Sequence, residues 1–530
     1  MLYDVIVIGS GISGLYAALY AKKSGLKVAV ITKSNPFRSN SSVASGGINA
    51  VIDLSAYDSV ERHVNDTVAG SDGLSHRANI QSMCAEAPNI IWELKEMGVR
   101  FDSDDNGDVK QRPFGGASAN RTCYIADRTG ASIVQTLFVK CKNEGVDILS
   151  NHKFLNITKY KGKLSGITVL RRRNSQVIAF ACKSLVLAGG GYAGIFRSHT
   201  TNSQESSGDV IAAALRANMR LSNMEFVQFH PTALKNSSIL ISESARGAGG
   251  YLLNSKGKRF VNELLPRDEV SKAIHDEIVK GEDIYLDIRH LGAEFIEKEL
   301  PQEAKLAKLY ENVDPVHDLI PIKPAAHYTM GGIEVDMNSS TCIAGLFAAG
   351  ECANHKVHGA NRLGGNSLLE LVVFGRQAGV NAAKYAKEFS KEISHVKEKE
   401  FFEDEIAEIK RFTNEINFYE KQAYLGEFFY KNVGIKRDKE ALQETLKLVE
   451  EMRDDLPKMG VSDKTKEYNT NLIEFLEFKN MLMLAEAVLL GAISRQESRG
   501  AHFRIDFAKT DEKYTAHTIV DSDKRVSYEN

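Results

Sequence analysis

Residues 3–14, YDVIVIGSGISG, decide how this chain folds. The apolar run is typical of a strand buried on both faces of a parallel sheet, and it leads into the spacing G-x-G-x-x-G. Helix-forming residues follow at 15–23, and KVAVIT at 27–32 predicts a second buried strand. In this order of elements the glycines allow a tight turn and a close approach of the backbone to a pyrophosphate. We therefore predict a Rossmann-like domain that binds a dinucleotide.

The end of the second predicted strand departs from the usual pattern. An acidic residue normally stands there and binds a ribose hydroxyl, whereas this chain has Thr32 and Lys33. A nicotinamide dinucleotide is therefore disfavoured.

A second part of the nucleotide site is expected near residue 190. Apolar strands are predicted at 177–181 and 185–188, and the latter runs into a glycine triplet that begins at Gly189. Asp209 opens a predicted helix, where it could cap the helix or accept a hydrogen bond from a ligand. An apolar strand that ends in glycines is what a two-part dinucleotide site requires.

A second glycine-rich turn, HKVHGANRLGGNSLLEL, lies at residues 355–371 and follows the strand-like run GLFAAG at 345–350. A glycine turn that opens a helix exposes free backbone N–H groups at the positive end of the helix dipole. With Arg362 beside it, this turn suits an anion: a carboxylate substrate, the electron-rich edge of a flavin, or both. The simpler alternative is a glycine-rich helix cap.

The length and composition exclude several classes of protein. A chain of 530 residues suggests two to four domains, and 43% hydrophobic with 26% charged residues is typical of a globular protein. A net charge of −2 without a long basic run gives no support to binding of nucleic acid or of an anionic membrane surface. Apolar runs such as 368–374 are too short to cross a bilayer. Residues 1–9 lack the pattern of a secretion signal, so we expect a cytoplasmic chain without direct membrane insertion.

The cysteines do not indicate a metal centre. They stand at positions 84, 123, 141, 182, 342 and 352 and form no C-x-x-C pair. Zinc and iron–sulfur ligands usually lie close together in sequence, so we predict no metal site and expect free thiols in a reducing compartment.

The middle of the chain differs in character from the nucleotide-binding part. Residues 294–318 are predicted to be helical and charged, and a Lys- and Glu-rich stretch at 390–412 is typical of a solvated helix face. We predict an α/β fold in which a Rossmann-like domain carries an inserted α+β capping domain and is followed by helices. The predicted domains are the first part of the nucleotide-binding domain (1–225), the capping domain (226–335), the second part of the nucleotide-binding domain (336–390) and a C-terminal helical domain with a short tail (391–530).

One set of polar residues is concentrated in the capping domain and at its junction with the first domain. Each member is flanked by glycine, proline or a small residue. Arginine forks bind carboxylates through two hydrogen bonds, so such a set suits a small dianion. Its members are His230, Ser242, Glu243, Arg246, Arg267, His327 and Arg362.

Together with these residues, the motifs of the chain give a sequence that resembles a known family, the flavoprotein subunits of fumarate reductase and succinate dehydrogenase. L-Aspartate oxidase is a close relative of that family. The resemblance covers nearly the whole chain. It rests on the motifs GSGISGL, SVASGGINAV, FHPT, SESARGAGG, LPRDEVS, HYTMGGI, AGEC, HGANRLGGNSL and RQESRGAH.

The resemblance implies FAD as the cofactor, and the family commonly lacks the acidic residue at the end of the second strand. The residues implied in FAD binding are Gly9, Ser10, Gly11, Ser13, Gly14, Thr32, Lys33, Ser39, Asn40, Ser45, Gly46, Gly47, Gly189, Asp209, Glu351, Ser367 and Leu368.

The resemblance also implies hydride transfer between flavin N5 and a carbon of a dicarboxylate. Arg267 would deliver the proton, with resupply through Glu243 and Arg246. A purely electrostatic role for Arg267 is the alternative, because an arginine has a very high pKa, but the resemblance favours the proton donor. The residues implied in binding and twisting the substrate are His230, Ser242, His327 and Arg362, with Phe114 beside them.

Two positions distinguish among the relatives. Members with covalently attached flavin carry histidine in the motif R-S-H-T, where this chain has Asn40. We therefore expect non-covalent FAD, and the loss of an electron-withdrawing tether should lower the flavin potential and favour fumarate reduction. L-Aspartate oxidases typically place glutamate where this chain has Phe114, which matches the fumarate and succinate enzymes instead.

Three alternatives remain open at this point, and the simplest is a flavin-binding protein with no redox role. L-Aspartate oxidase is supported by Asn40 and by the compact segment 246–267. An electron-carrying subunit that needs an iron–sulfur partner is the third, because the chain has no cluster ligands of its own. In that case the chain would be cytoplasmic and associated with a membrane only through partner subunits.

Overall fold

The structure, a computed structural model, describes residues 2–52, 57–389 and 398–530. The first part of the helix predicted at 390–412 lies outside the described residues. The helices are α1 (Ile12–Lys22), α2 (Val60–Gly70), α3 (Arg77–Met97), α4 (Thr129–Asn143), α5 (Asp209–Arg216), α6 (Glu243–Gly247), α7 (Arg267–Val279), α8 (Ala293–Glu299), α9 (Pro301–Tyr310), α10 (Asn366–Glu388), α11 (Glu398–Ile409), α12 (Phe418–Asn432), α13 (Lys439–Asp454) and α14 (Thr470–Ser494).

The strands form four sheets. They are β1 (Leu2–Ile8), β2 (Val28–Ile31), β3 (Ile48–Asn49), β4 (Gln111–Arg112), β5 (Thr122–Cys123), β6 (Asp147–Leu149), β7 (His152–Tyr160), β8 (Lys163–Arg171), β9 (Gln176–Leu187), β10 (Leu221–Ser222), β11 (Val227–Leu234), β12 (Tyr251–Asn254), β13 (Ile284–Asp287), β14 (Ile320–Thr329), β15 (Gly332–Glu334), β16 (Leu346–Ala348), β17 (Ala353–Asn354), β18 (His517–Val520) and β19 (Val526–Glu529).

The largest sheet is the predicted Rossmann-like sheet. Its order is β6-β2-β1-β9-β8-β7, with β16 paired to β9, and β6, β2, β1, β9 and β16 run parallel. The strands predicted at 177–181 and 185–188 are two halves of β9, which corrects the prediction of separate strands. The first half pairs antiparallel with β8 and the second half pairs parallel with β1, so one strand serves both parts of the sheet.

The glycines of the first turn allow contacts that a side chain would block. Gly9 has φ of +107°, and a Cβ atom there would lie 2.1 Å from the carbonyl oxygen of Ala188. A Cβ atom on Gly14 would lie 2.1 Å from the carbonyl oxygen of Gly9. Helix α1 therefore begins directly against the ends of β1 and β9. Its N-cap, Gly11, has no side chain to accept from the first N–H groups, and the Ile12 N–H donates to Ser41 Oγ at 3.3 Å instead.

Helix α10 packs on α1 at very short range. A Cβ atom on Gly375 would lie 2.7 Å from the carbonyl oxygen of Ser13, and one on Gly379 would lie 2.2 Å from that of Ala17. These two glycines lie one helical turn apart and therefore face the same neighbour. The contact holds the starts of both helices at one edge of the sheet.

The capping region has a sheet and an apolar core of its own. The sheet is antiparallel, in the order β11-β14-β13-β12, and Leu252, Ile274 and Leu286 lie in the core. Helix α7 lies against this sheet, where Ser271 Oγ donates to the carbonyl oxygen of Phe229 at 3.1 Å. Strand β15, inside the predicted range 226–335, pairs with β10 and β17 in a different sheet.

The C-terminal part consists of helices and a hairpin. Helix α14 is predominantly apolar and buried, and it packs on α13 and α5. After it, Arg495 donates to Glu225 at 2.7 Å and to Glu497 at 2.8 Å, and all three side chains are fully buried. This network and the pairing of β18 with β10 attach the C-terminal part to the first domain. Within the described ranges, no helix is long and apolar enough to cross a membrane.

Candidate active site

A cleft of about 1470 Å³, measured to its open mouth, lies at the carboxyl ends of β1, β2 and β9. Open parallel sheets bind ligands at this edge. Helices α1 and α10 both begin beside the cleft and contribute to its wall. The predicted cofactor residues in the wall are Gly9, Ser10, Gly11, Ser13, Thr32, Lys33, Ser39, Asn40, Gly189, Asp209, Glu351, Ser367 and Leu368.

Several features of this cleft fit a dinucleotide. Ser13 Oγ is buried and has no hydrogen-bond partner among the described residues. A Cβ atom on Gly189 would lie 2.6 Å from the side chain of Val210, so only glycine leaves the backbone open there. Burial raises the pKa of Glu351 to about 7, although the Thr329 N–H donates to its carboxylate at 3.1 Å. The wall thus offers an orphaned hydroxyl, bare backbone and a carboxyl that is partly protonated near neutral pH.

Four residues predicted to bind the cofactor lie outside the wall of the cleft. They are Gly14, Ser45, Gly46 and Gly47. Gly14 packs beneath the first turn, and a Cβ atom on Gly46 would lie 3.0 Å from the ring of Phe114. Ser45 Oγ donates to Glu303 of α9 at 3.4 Å. The loop that carries the last three of these residues therefore contacts the capping region through Glu303.

Two residues in the cleft wall have charged protein partners. Lys33 Nζ donates to Glu477 at 2.8 Å and to Asp209 at 3.3 Å, and Lys153 Nζ donates to the same two carboxylates at 3.2 and 2.5 Å. Burial alone would lower the pKa of Lys33, but Glu477 and Asp209 raise it above its usual value. Asp209 therefore pairs with lysines and does not cap α5, whose N-cap is Gly208. We call Lys33, Lys153, Asp209 and Glu477 the balanced cluster.

Asn40 joins two loops across the mouth of the cleft. Its Nδ2 donates to Asn202 Oδ1 and to Ser206 Oγ, the latter at 2.7 Å, and its Oδ1 accepts from the N–H of Ser203 at 2.9 Å. All four residues line the cleft. The position where covalent relatives carry histidine is thus occupied by an amide that binds protein partners.

Next to the cleft, two arginines meet at one side-chain oxygen. Arg267 Nη1 and Arg362 Nη2 donate to Gln228 Oε1 at 3.0 and 3.1 Å. The Arg362 guanidinium lies 4.3 Å from the centre of the Tyr328 ring, and Arg362 Nε is buried without a hydrogen-bond partner among the described residues. Burial and repulsion from Arg267 lower the pKa of Arg362 to about 9. The unmet hydrogen bonds and positive charge favour an anionic ligand.

Two histidines complete this cavity. The rings of His230 and His327 lie 5.0 Å apart, centre to centre. In the pairing of β11 with β14, Gln228 faces Tyr328 and the next residue faces Ala326, so His327 is the extra residue of a β-bulge. Burial, reinforced by Arg267, lowers the pKa of both histidines well below 6.5, so both are neutral at pH 7. His327 also lies in the wall of the cleft, which makes the cavity and the cleft adjoin.

Glu243 connects two of the predicted catalytic arginines. Its Oε2 accepts from Arg267 Nε at 2.8 Å and Nη2 at 2.5 Å, and its Oε1 lies 3.6 Å from Arg246 Nη2. Burial alone would raise the pKa of Glu243, but Arg267 and Arg246 lower it below its usual value. The Gly115 N–H also donates to this carboxylate, at 2.9 Å. We call Arg246, Arg267, Arg362 and Glu243 the arginine cluster, in which two guanidinium groups contact the one carboxylate and the third, Arg362, meets Arg267 at Gln228.

The structure places two further predicted residues near this cavity. Ser242 is buried and forms the N-cap of α6, where its hydroxyl accepts from the Ser244 N–H at 3.2 Å. Phe114 is buried against the turn that follows Arg362, since a Cβ atom on Gly364 would lie 2.8 Å from its ring. Phe114 thus separates the loop at Gly46 from that turn.

Sequence reasoning missed three residues of the site. Gln228 stands two positions before His230 on β11, the spacing that places side chains on one face of a strand, and this signal could have identified it. Tyr328 supports Arg362 and donates to the buried carboxylate of Glu370 at 2.5 Å. Thr201 contacts His327 from a loop more than a hundred residues earlier in the chain, which no local pattern predicts.

Comparisons with known proteins agree with this geometry. A family model described as "FAD binding domain" matches residues 4–368, and one described as "Fumarate reductase flavoprotein C-term" matches residues 422–530. The chain is 38% identical over 551 residues to the 8-methylmenaquinol:fumarate reductase flavoprotein subunit of Wolinella succinogenes, covering 98% of this chain and 88% of that protein. It is 35% identical over 556 residues to the succinate dehydrogenase flavoprotein subunit of Rickettsia conorii, covering 98% and 93%.

Solved structures give the same result. A quinol–fumarate reductase structure with menaquinol molecules superposes with a TM-score of 0.96 at 34% identity, covering 100% of this chain and 98% of the other. Adenylylsulfate reductase from Archaeoglobus fulgidus superposes with a TM-score of 0.83 at 18% identity, covering 100% and 95%, and shares the fold alone.

Proposed function

Because this chain belongs to the family of fumarate reductase and succinate dehydrogenase flavoprotein subunits, we propose that it interconverts fumarate and succinate on non-covalent FAD, with a bias toward fumarate reduction. The family match covers the nucleotide-binding and C-terminal parts of the chain. The predicted domain limits and the roles of the predicted site residues are part of the same proposal.

The observation that carries the proposal is the convergence of positive charge beside the cleft. Arg267 and Arg362 share one acceptor, Gln228 Oε1, and the ring of His327 stands between their cavity and the cleft wall. A dianion would satisfy the unpaired guanidinium hydrogen bonds and relieve the repulsion between the arginines. A small dicarboxylate is the ligand class that this arrangement fits.

FAD bound in the cleft would supply hydride transfer at N5. The positive end of the α1 dipole and the Ser13 hydroxyl suit its diphosphate, and Glu351, Ser367 and Leu368 suit the part nearer the cavity. The chain itself would bind the substrate, orient it and exclude water. These are the tasks of the groups described next.

Binding of the two carboxylates is assigned to Arg362, His230, His327 and Ser242. The histidines are neutral near pH 7, so each provides a hydrogen-bond donor without adding charge. Fixed donors on both carboxylates would twist one of them out of the plane of the double bond. Because a twisted carboxylate resembles the transition state more than the flat ground state, this binding favours reaction. Phe114 would close the apolar side of the cavity.

Proton delivery is assigned to Arg267. Nε and Nη2 of this arginine donate to Glu243. The remaining nitrogen, Nη1, donates to Gln228, the residue that Arg267 shares with Arg362. A proton given to the substrate carbon would be replaced through Glu243 and Arg246, which are in ion-pair distance of each other. Arg246 also donates to the carbonyl oxygen of Glu263, which fixes the position of its guanidinium group.

Asn40 supports the proposed direction of reaction. An amide cannot form the histidyl bond of covalent relatives, and its hydrogen bonds to Asn202, Ser203 and Ser206 retain the loop without one. Without an electron-withdrawing tether the flavin potential should be lower, which favours electron transfer to fumarate.

We also propose an electron-transfer partner. The relatives reported above are flavoprotein subunits of larger enzymes, and within the described ranges no group of three or more His, Cys, Asp or Glu could hold a metal ion. An iron–sulfur subunit would supply the electrons, and any membrane association would come through partner subunits.

The test is turnover with reduced methyl viologen as the electron donor. We expect fumarate to oxidise the dye and acid precipitation to release all FAD into the supernatant. L-Aspartate under air should give no peroxide, which separates this enzyme from L-aspartate oxidase. No dye oxidation above the rate of heat-inactivated protein would refute the proposed reaction, and yellow colour retained in the acid pellet would refute non-covalent FAD.

A further inference from the structure

The ring of His327 is hydrogen-bonded to Thr201, a residue to which no role has been assigned. Thr201 Oγ1 lies 2.8 Å from His327 Nδ1. Both residues line the cleft, and among the described residues the Thr201 hydroxyl has no other recorded hydrogen-bond partner. The other ring nitrogen, Nε2, is left for the cavity.

The proton on this ring has two possible positions. A neutral imidazole carries one N–H, and the hydrogen bond at one nitrogen decides whether the other is a donor or an acceptor. His327 is neutral near pH 7, because burial and the nearby arginines lower its pKa well below 6.5. With the proton on Nε2 the ring donates into the cavity, and with the proton on Nδ1 it presents a lone pair there. Only the first form attracts a carboxylate.

The hydroxyl of Thr201 favours the first form. If it donates to Nδ1, both groups are satisfied by one hydrogen bond and the ring proton stands on Nε2. If Nδ1–H donates instead, the hydroxyl proton needs another acceptor, and the described residues provide none. A hydroxyl proton without a protein acceptor is the less favourable arrangement.

The backbone around Thr201 fixes where its hydroxyl points. The Thr201 N–H and the Thr200 hydroxyl both donate to the carbonyl oxygen of Ala326 at 2.9 Å, and Asn202 Nδ2 donates to the carbonyl oxygen of His327 at 2.7 Å. The loop is thus bonded to the residue before His327 and to His327 itself. Asn202 is also the partner of Asn40, so the same loop contacts the proposed flavin site.

We propose that Thr201 is a positioning residue that holds His327 with its proton on Nε2, so that the ring donates a hydrogen bond to a substrate carboxylate. The inference deepens the function proposed above and rests on it for the identity of the ligand. The tautomer itself is a property of the protein without bound dicarboxylate, and it is measured separately.

The first measurement reads the tautomer directly. In FAD-loaded protein labelled with 15N-histidine, two-bond 1H–15N spectra distinguish Nε2–H from Nδ1–H, and the His327 signals are those lost in His327→Asn. We expect Nε2–H in the natural chain and in Thr201→Ser, which keeps the hydroxyl, and a shift toward Nδ1–H or a mixture in the near-isosteric Thr201→Val. A natural chain with Nδ1–H overturns the proposal even if Thr201→Val does not fold, and so does an unchanged Thr201→Val spectrum.

The second measurement reads the consequence for binding. Malonate is the probe, because it is a dicarboxylate without a double bond to reduce, and its affinity is followed by the flavin absorbance change. We expect Thr201→Val to weaken malonate binding about tenfold, the loss of one hydrogen bond to a charged group, and Thr201→Ser to retain it. Equal affinities despite a changed tautomer would overturn the link to the substrate. Failure of the natural chain to bind malonate would refute the dicarboxylate function. The tautomer spectra would still test the role of Thr201, because they do not depend on malonate.

Discussion

Two groups of buried charges lie beside the same cleft, and they are built differently. The balanced cluster pairs Lys33 and Lys153 with Asp209 and Glu477, and each lysine contacts both carboxylates. In the arginine cluster Arg246 and Arg267 share one carboxylate, Glu243, and Arg362 donates to the neutral Gln228. The first has paired charges, and the second has a surplus of positive charge.

The pKa shifts follow this difference. In the balanced cluster the partners raise the pKa of Lys33 and lower that of Asp209, although burial acts in the opposite sense on both. In the arginine cluster burial and a like charge lower the pKa of Arg362 to about 9. Paired buried charges stabilise the fold only while both partners are present, whereas surplus buried charge destabilises the protein until a ligand neutralises it. We therefore infer that the surplus of positive charge in the arginine cluster marks a ligand site, whereas the paired charges of the balanced cluster stabilise the fold.

The largest expected effect comes from breaking the balanced cluster. Lys153→Met leaves Asp209 and Glu477 with one lysine between them, and we expect a loss of about 3–5 kcal/mol in the free energy of unfolding, followed by urea denaturation of the FAD-loaded protein. The double variant Lys153→Met with Glu477→Gln restores equal numbers of charges and should recover part of the loss. A stability within 1 kcal/mol of the natural chain, as an approximate limit set by typical surface substitutions, would contradict the structural role.

Removing a charge from the arginine cluster should have the opposite signature. Arg362→Gln removes a proposed substrate-binding group, and we expect fumarate reduction to fall about 100- to 1,000-fold. The free energy of unfolding should stay the same or rise, because repulsion with Arg267 is relieved. Lys280→Gln, at an exposed position, is the matched control for loss of one positive charge and should change neither quantity. A destabilisation as large as that of Lys153→Met would show that Arg362 is structural.

Gln228→Glu turns the arginine cluster into a balanced one. A carboxylate at the point where Arg267 and Arg362 meet would occupy the place of the ligand. We expect dicarboxylate affinity to fall about tenfold and thermal stability to rise, since close opposite charges replace repulsion. Gln228→Met, which removes the acceptor without adding charge, is the control and should not raise stability. Tighter dicarboxylate binding by Gln228→Glu would contradict the surplus-charge interpretation.

The last prediction concerns a buried acid outside both clusters. Burial, then repulsion from Asp127, raises the pKa of Glu303 on α9 from 4.5 to about 8. Since the folded chain holds this proton more tightly than the unfolded chain, its stabilising contribution is fully present below pH 4.5 and is lost as the pH rises to about 8. The slope is at most about 1.4 kcal/mol per pH unit.

Glu303→Gln is the test of this pH dependence. The amide does not titrate, so thermal stability measured from pH 5 to 8 should show a flatter decline than in the natural chain. An identical pH profile in the two proteins would show that Glu303 is ionised throughout.

The parts of the fold that follow from short-range patterns could be predicted from the sequence. The strand and glycine turn at the N-terminus, the helix that opens after Arg362, and the polar residues of the capping region all carry local signals. The family relationship, FAD and the fumarate–succinate reaction were also predicted and are confirmed by the comparisons. Residue roles and the non-covalent state of FAD stay predictions.

What could not be predicted depends on contacts between distant segments. Lys33 and Glu477 are 444 residues apart in sequence, and nothing near Lys33 indicates that its charge is already paired. The bulge that turns His327 into the cavity exists only once β11 and β14 pair. Strand β9 pairs with β8 along its first half and with β1 along its second half. A short stretch of sequence around β9 contains no information about these partner strands.

The close contact of α10 with α1, made through Gly375 and Gly379, has a mechanical consequence. The turn that opens α10 carries Arg362 together with Ser367 and Leu368, so the substrate and cofactor contacts proposed for this turn are fixed to α1. We therefore expect entry of substrate and release of product to depend on movement of the opposite wall, which is formed by the strands that carry His230 and His327 and by the helix that starts at Arg267.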